Sequence, residues 1–211
     1  MHAVTAQRKL YVVDDEAVVR ASIVSLVEAH GPFDCHEYRS GDAFLAALDT
    51  LEPGCVVLDL QLEGANGMAV MKSLSGRPGF RMIVITGSGD LAVAIEAFRE
   101  GAVDFLHKPY EMRPLLDAID RAFQQIEHGA DRAELIAEAQ ARVARLGPIE
   151  GKVLAALVRG DTNQDIATAF ALDARTVQII RARALAAVEA PSLLGAIRTA
   201  AIAGWPEDDR P

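Results

Sequence analysis

The stretch YVVDDE, residues 11–16, joins a short run of strand-forming residues to two adjacent carboxylates, and this pattern recurs through the first 128 residues. The apolar runs predict five strands, at Leu10–Val13, Phe33–Tyr38, Cys55–Leu58, Met82–Thr86 and Val103–Leu106. Apolar residues at helical spacing separate them, for example Leu91, Ile95 and Phe98. Strands that alternate with helices predict an α/β fold, with a doubly wound five-stranded parallel sheet covered by helices on both faces.

Polar residues stand where the predicted strands end. They are Asp14 and Asp15 after the first strand, Asp59 at the end of the third, Thr86 at the end of the fourth, and Lys108 and Pro109 after the fifth. Because ligands of doubly wound sheets bind at the carboxyl ends of the strands, we expect these residues to meet at one edge. Three carboxylates at one point repel each other unless a cation is present, and oxygen ligands at that charge suit Mg²⁺.

The pattern changes to helices alone after Gly129, with helical segments predicted at 149–159, 163–170, 174–188 and 192–203. Gly160 suits a helix C-cap, whereas Asp161 or Thr162, and then Asp173, suit N-caps. Before these segments, a 3-4-3 apolar spacing predicts a linker helix that either pairs with another helix or lies on its own protein. Its apolar residues are Ile136, Ala139, Val143 and Leu146.

The charge of the chain is divided unevenly between its two halves. The net charge of the 211 residues is −9. Residues 1–130 hold 11 Lys and Arg against 19 Asp and Glu, while residues 146–205 hold six against five. The acidic first half argues against nucleic-acid binding there, and the nearly neutral second half is compatible with it.

The composition also bears on the compartment. A hydrophobic content of 51% excludes disorder as the overall state, and no apolar run approaches the roughly 20 residues that span a bilayer. The opening MHAVTAQRKL lacks the apolar core of a signal peptide, so we expect a cytoplasmic protein without membrane contact. Cys35 and Cys55 lie in strand-like runs and are interpreted as buried thiols rather than a disulfide.

Four stretches together resemble the receiver domain of bacterial two-component response regulators: YVVDDE (11–16), VVLDL (56–60), IVITGSGD (83–90) and GAVDFLHKPY (101–110). The resemblance implies that a sensor histidine kinase phosphorylates Asp59, whose carboxylate attacks phosphorus. It implies a Mg²⁺ site made by Asp14, Asp15, Asp59 and the backbone carbonyl of Gln61. It also implies that Lys108 contacts the phosphate beside a cis Pro109, and that Thr86 and Phe105 form a switch pair.

One segment departs from the receiver pattern, and one enzyme class competes with it. Leu62-Glu63-Gly64 replaces the usual Met-Pro-Gly, which predicts a looser loop with an added negative charge. Haloacid-dehalogenase-type phosphatases also use an Asp nucleophile after a strand, but they need a second Asp two residues later, where this chain has Gln61. We therefore expect a regulator and not an enzyme.

The segment Leu146–Trp205 resembles the LuxR-type helix-turn-helix domain, and the whole chain resembles a FixJ-type response regulator. The resemblance rests on Glu150, Val153, Leu154, Gly160, Asn163–Ala167 and Arg175–Val177. It implies that the second helix of the tract Asn163–Ala182 enters the major groove of promoter DNA. The expected DNA contacts are Gln178, Ile179 and Ala182 on bases, Arg175, Arg181 and Arg183 on phosphates or guanines, and Thr176 beside them.

Three residues of this segment weaken the expectation of DNA binding. Ile180 and Ala187 stand where the family usually has His and Lys, and Glu189 adds a negative charge. Because phosphate contacts dominate affinity, fewer cations predict weaker binding. A further open question is whether Arg181 contacts DNA or pairs with Glu189 or another acid on the surface.

These observations give one organisation and two hypotheses. The domains are a receiver at 1–128, a linker helix at 129–145, a LuxR-type helix-turn-helix domain at 146–205 and a tail at 206–211. In the first hypothesis, phosphorylation of Asp59 re-forms a receiver surface at 90–100, 103–106 and 111–128, and the resulting homodimer binds promoter DNA. In the second, the chain is a protein-interaction module or phosphate sink whose helices no longer bind DNA.

Overall fold

A five-stranded parallel sheet forms in the first part of the chain. The structure is a computed structural model that describes residues 7–62, 67–77, 79–87, 91–127 and 132–205. The strands are β1 (Arg8–Val13), β2 (Phe33–Tyr38), β3 (Cys55–Asp59), β4 (Arg81–Thr86) and β5 (Ala102–His107), in the order β2-β1-β3-β4-β5. Each predicted strand lies within an observed one, and the strand order is that of the doubly wound class.

Ten α-helices are described. They are α1 (Ala17–His30), α2 (Gly41–Ala47), α3 (Gly67–Leu74), α4 (Leu91–Arg99), α5 (Met112–Glu127), α6 (Arg132–Val143), α7 (Pro148–Val158), α8 (Asn163–Ala169), α9 (Ala174–Ala187) and α10 (Leu193–Ile202). The last four match the predicted segments to within one residue at each end. None of the helices in the described part of the chain is both long and apolar enough to cross a membrane.

The chain divides into two compact units. The first comprises Met1–Gly89 with Glu100–Ala130, and the second comprises Asp90–Arg99 with Asp131–Pro211. Helix α4 therefore groups with the C-terminal helices, although its sequence position lies within the predicted receiver. The expectations for Glu63 and Gly64, for the domain boundary at 128 and for the tail at 206–211 fall outside the described residues.

The core of the first unit forms where the sheet meets α1 and α5. All five residues of β3 are buried, as expected for a central strand covered on both faces. Alternate residues of β1 and β4, such as Leu10 and Ile83, pack with Ile23 of α1 and Ile119 of α5. Each such side chain contributes about 1.5–3 kcal/mol on burial, so the sheet is a rigid base for the residues at its carboxyl edge.

Two apolar clusters hold the C-terminal helices together. Val153, Ile166 and Val177 join α7, α8 and α9 in the first cluster. The second cluster joins α7 and α9 to α10, and Leu91 and Ile95 of α4 pack against it.

The ends of these helices agree with the predicted caps. Thr162 forms a capping box with Asp165 at the start of α8. The Asp173 carboxylate accepts a hydrogen bond of 2.9 Å from the backbone N–H of Thr176 at the start of α9. Gly160, predicted as a C-cap, follows the C-cap Arg159 by one residue and has a φ of +93°, the left-handed conformation that ends many helices.

The linker helix α6 lies on its own unit. Ala139 and Val143 are buried, Ile136 and Leu146 are half-buried, and α6 packs against α10. Of the two interpretations of the apolar spacing, the structure favours the helix that covers its own protein. Cys55 is a buried free thiol, whereas Cys35 is only half-buried.

Candidate functional site

Three carboxylates meet at the carboxyl edge of the sheet. Asp14 and Asp15 follow β1, Asp59 ends β3, and these strands pair in parallel. One carboxylate oxygen from each residue lies within 4.8 Å of the others. Asp14 and Asp59 are only 0% and 3% exposed, and Asp15 is half-buried. The predicted meeting of these residues is thus present, and their hard oxygen donors suit a divalent cation such as Mg²⁺.

Lys108 lies between two of the carboxylates. Its Nζ donates to Asp14 Oδ2 at 2.8 Å and to Asp59 Oδ2 at 2.7 Å. Its backbone N–H donates to the carbonyl of Thr86 at 2.8 Å, which ties the end of β5 to the end of β4. The Lys108–Pro109 peptide bond is cis, as predicted. The site therefore contains a fixed positive charge beside the Asp59 carboxylate.

Burial and ion pairing change the proton affinities of this pair. Burial raises the pKa of Asp14, and hydrogen bonds from Lys108 and from the N–H of Glu16 only partly oppose that shift. Burial alone would lower the pKa of Lys108, but its hydrogen bonds to Asp14 and Asp59 outweigh burial and raise the pKa. Lys108 thus stays charged, while Asp14 remains costly to ionise, chiefly because it is buried and to a smaller extent because the Asp59 carboxylate repels it.

Local backbone contacts fix Asp59. The Gln61 N–H donates to Asp59 Oδ1 at 2.8 Å, and the Leu60 N–H donates to the carbonyl of Ile85 at 3.3 Å. Helix α3 begins directly against this segment, because a Cβ at Gly67 would lie 2.4 Å from the backbone oxygen of Asp59. These contacts leave Asp59 Oδ2 directed to Lys108.

The two residues of the expected switch pair lie on neighbouring strands. Thr86 ends β4 and is buried, and its register partner on β5 is His107. Phe105 pairs with Val84 and is 4% exposed, so its ring is already enclosed in this structure. A movement of either side chain stays a prediction.

Arg20 is a site residue that the sequence analysis missed. Its Nη1 donates to the backbone carbonyls of Asp14 at 2.7 Å and Asp15 at 3.1 Å. Its Nε forms an ion pair with Glu37 Oε2 at 3.1 Å. The available signal was an arginine in the first turn of α1, from where a long side chain can reach back to the preceding loop.

Helix α9 presents the expected DNA-contacting residues on one exposed face, with Ile179 47% exposed. The exposed residues are Arg175, Gln178, Ile179, Ala182 and Arg183, while Arg181 and Thr176 are half-buried. The Thr176 hydroxyl donates to Asp173 Oδ2 at 2.6 Å, so it belongs to the helix cap. Val177, Ala184 and Val188 are buried, as expected.

Ile180 belongs to the buried face of α9. It is 6% exposed and packs in the cluster that joins α7, α8 and α9. The expectation that this residue weakens DNA binding is therefore wrong in its physical basis, because an inward side chain cannot contact a base or a phosphate.

Glu189 contacts two arginines, Arg142 at the end of α6 and Arg145 just after it. It forms an ion pair with Arg145, and its Oε2 lies 3.6 Å from the Arg142 Nε. Arg181 does not pair with Glu189, and no carboxylate of the described residues forms an ion pair with it. The alternative role of Arg181 as a partner of Glu189 is thus wrong, and its charge is available.

Comparison with known proteins agrees with both halves of the molecule. Residues 10–120 match the response regulator receiver domain. The chain is 36% identical to the transcriptional regulatory protein FixJ of Bradyrhizobium diazoefficiens over 205 residues, covering 97% of this chain and 100% of the relative. The chain belongs to the FixJ-type transcriptional response regulators.

A further relative and a solved structure are also similar to this response regulator over most of its length. The tetrathionate response regulatory protein TtrR of Salmonella typhimurium is 32% identical and covers 90% of both chains. The crystal structure of full-length FixJ from B. japonicum is similar with a TM-score of 0.55 and 36% identity, covering 95% of this chain and 98% of that one. The match to the receiver domain includes every residue of the acidic site.

Proposed function

We propose that a sensor histidine kinase phosphorylates Asp59, and that phosphorylation controls binding of this response regulator to promoter DNA. One observation carries the proposal: Asp59 lies among Asp14, Asp15 and Lys108 at the carboxyl edge of the sheet. The Asp59 carboxylate lies beside the Lys108 ammonium, which can bind the incoming phosphoryl group, and beside Asp14 and Asp15, which can hold a metal ion.

The chemistry assigned to Asp59 is nucleophilic attack. A carboxylate oxygen attacks the phosphorus of the donor, and the bond from phosphorus to the donor nitrogen breaks to leave an acyl phosphate. Lys108, within 2.7 Å of Asp59 Oδ2, stabilises the added negative charge. The hydrogen bond from the Gln61 N–H to Oδ1 holds the carboxylate during attack.

The residues present fit Mg²⁺. Asp14, Asp15 and Asp59 offer carboxylate oxygens close enough to share one ion, and the Gln61 carbonyl is proposed as a further ligand. When bound, Mg²⁺ would neutralise charge on the phosphoryl group. Lys108 forms ion pairs with Asp14 and Asp59, so these two ion pairs would have to rearrange for the carboxylates to hold Mg²⁺.

Asp59→Asn tests the phosphoacceptor. Incubation of the full chain with radiolabelled acetyl phosphate and Mg²⁺ should label wild type and leave Asp59→Asn unlabelled. Asp49→Asn is the matched control, because its carboxylate is 85% exposed and belongs to no part of the site. Undiminished labelling of Asp59→Asn would contradict the assignment.

Asp15→Ala tests the metal ligands. Calorimetric titration with MgCl₂ should lose its binding signal in this variant, because one of three carboxylate ligands is gone. The fold should stay intact, since removal of one carboxylate relieves repulsion. Equal affinity in wild type and variant would refute the site.

The face of α9 supports the DNA-binding half of the proposal. Arg175, Arg181 and Arg183 form no ion pair with a carboxylate in the described part of the chain, and Gln178 and Ile179 lie between them on the exposed side. An amide suits adenine, an aliphatic side chain suits the thymine methyl, and uncompensated arginines suit phosphates.

Two variants separate base contacts from phosphate contacts. Gln178→Ala should cost about 1–3 kcal/mol on the preferred sequence and little elsewhere. Arg181→Ala should weaken binding to all sequences and lower the salt-dependence slope by about one. If the phosphorylated protein has no salt-sensitive affinity for any DNA, the alternative holds, and the helices belong to a protein-interaction module or phosphate sink.

Dimerisation is the proposed link between the two events. A shift of Thr86 and Phe105 on phosphorylation would repack the receiver surface that includes β5 and α5 and create a contact between two copies. Light scattering with beryllofluoride as phosphoryl mimic should detect a doubled mass that Asp59→Asn does not reach. A mass that beryllofluoride leaves unchanged would count against this link.

A further inference from the structure

Arg20 connects three groups behind the acidic site. One guanidinium nitrogen donates hydrogen bonds to the carbonyls of Asp14 and Asp15, and another forms an ion pair with Glu37 near the end of β2. We propose that Arg20 is a positioning residue for the divalent cation, and that it acts through the backbone of Asp14 and Asp15. This inference rests on the proposed function of that site.

The geometry requires an arginine. The planar guanidinium donates in several fixed directions at once, whereas a lysine ammonium is a compact charge on a flexible stem. The Arg20 side chain is 14% exposed, so water competes little for the two carbonyls. The ion pair with Glu37 orients the guanidinium so that Nη1 faces the loop.

The loop needs such an anchor because its carboxylates repel each other. Asp14 is held by its N–H, which donates to the Tyr38 carbonyl at 3.2 Å, and by its Oδ1, which accepts from the Glu16 N–H at 2.9 Å. For Asp15, the bond from Arg20 to its carbonyl is the anchor that the described contacts provide. Loss of Arg20 would free the peptide unit that carries this half-buried carboxylate.

Two possible roles of Arg20 predict opposite effects of its removal on the affinity for Mg²⁺. If Arg20 were only a nearby positive charge, its removal would strengthen Mg²⁺ binding, because like charges repel. If Arg20 positions the ligands, its removal weakens Mg²⁺ binding, and groups that orient metal ligands typically contribute about 10–100-fold to affinity. Arg20→Lys distinguishes the two roles further, because lysine keeps the positive charge but lacks the planar guanidinium.

The experiment is calorimetric titration of the full chain with MgCl₂. Arg20→Gln and Arg20→Lys should both bind Mg²⁺ about 10-fold more weakly than wild type. Arg77→Gln is the matched control, because Arg77 also binds a backbone carbonyl, that of Ser73 at 3.2 Å, and a carboxylate, Asp49 at 2.7 Å, without touching the site. This control should leave Mg²⁺ affinity unchanged.

Glu37→Gln provides a second test that leaves Arg20 in place. It should lower Mg²⁺ affinity less than Arg20→Lys does, and the double variant should be no weaker than Arg20→Lys, since both changes act through one guanidinium. Thermal unfolding without Mg²⁺ checks that each variant is folded at the titration temperature. If Arg20→Gln does not fold, Arg20→Lys and Glu37→Gln decide the question.

The outcomes separate this inference from the proposed function. Mg²⁺ affinity in Arg20→Gln equal to or higher than that of wild type, with binding still lost in Asp15→Ala, would overturn the role of Arg20 alone. Absence of Mg²⁺ binding in wild type would overturn both the metal site and the inference.

Discussion

Substitution of Gly67 by alanine should displace Asp59, the proposed phosphoacceptor. The added Cβ would lie 2.4 Å from both the Asp59 carbonyl oxygen and the Leu60 Cα, about 1 Å closer than an ordinary contact. Both atoms are backbone, so α3 and the Asp59–Leu60 segment have to move apart, which displaces Asp59 and strains the bond of 3.3 Å from the Gly67 N–H to the Leu60 carbonyl. Overpacking costs about 1–3 kcal/mol and a weakened hydrogen bond about 1 kcal/mol, while alanine regains about 1 kcal/mol in a helix.

The net expectation for Gly67→Ala is a loss of about 1–3 kcal/mol in the free energy of unfolding, measured by urea titration with far-UV circular dichroism. A displacement of about 1 Å at Asp59 should also slow phosphorylation by acetyl phosphate by about 100-fold.

Gly151→Ala is the control for Gly67→Ala. Its Cβ would lie 3.7 Å from Trp205, so this helical glycine should accept alanine and gain about 0.5–1 kcal/mol. If Gly67→Ala matched Gly151→Ala in stability and wild type in phosphorylation rate, the close approach of α3 to β3 would not constrain Asp59.

Three further outcomes follow from other positions. Ala171 has a φ of +51°, a left-handed conformation that strains a residue with a Cβ. Ala171→Gly should therefore stabilise the second unit by about 0.5–1 kcal/mol in urea titrations followed by Trp205 fluorescence. An unchanged free energy of unfolding would contradict this backbone strain. Glu189→Gln should raise DNA affinity and steepen the salt dependence by up to about one unit in anisotropy titrations, because it releases Arg142 and Arg145; weaker binding would refute this. Burial raises the pKa of the Asp14 carboxyl above its usual 3.8 in the folded state. As the pH rises above 3.8, ionisation of Asp14 therefore lowers the free energy of unfolding of wild type relative to that of Asp14→Asn. In metal-free urea titrations from about pH 4 to pH 7, the stability difference should therefore move in favour of the variant, and a constant difference would oppose it.

The sheet and the acidic site were predictable because both depend on local patterns. An apolar strand followed by a carboxylate is visible in sequence, and the topology of a parallel sheet brings such ends together. The interpretation of Asp59, Asp14 and Lys108 as neighbours needed nothing more. The grouping of α4 with the C-terminal helices was not predictable, since it depends on packing between apolar faces far apart in the chain.

The errors came from judging side chains without their surroundings. A comparison with the family predicts a DNA contact at Ile180, whereas the spacing of Val177, Ile180 and Ala184 indicates an inward helix face. Sequence position alone predicts that Glu189 is a charge near DNA, because its partners Arg142 and Arg145 lie more than 40 residues earlier in the chain. The role of Arg20 is hard to predict because its acceptors are backbone carbonyls, so its position in the first turn of α1 is the one signal that the sequence offers.

The ion pairs of Lys108 give the acidic cluster a cation of its own. In zinc-dependent domains the metal supplies the folding free energy, and its removal unfolds the chain. Here the Lys108 ammonium touches Asp14 and Asp59 at 2.8 Å and 2.7 Å, so entry of a divalent ion becomes an exchange of one cation for another. If the phosphoryl group and Mg²⁺ bind here as proposed, this internal cation would let the receiver lose both and return to the same resting structure, so that repeated cycles of signalling would not require refolding.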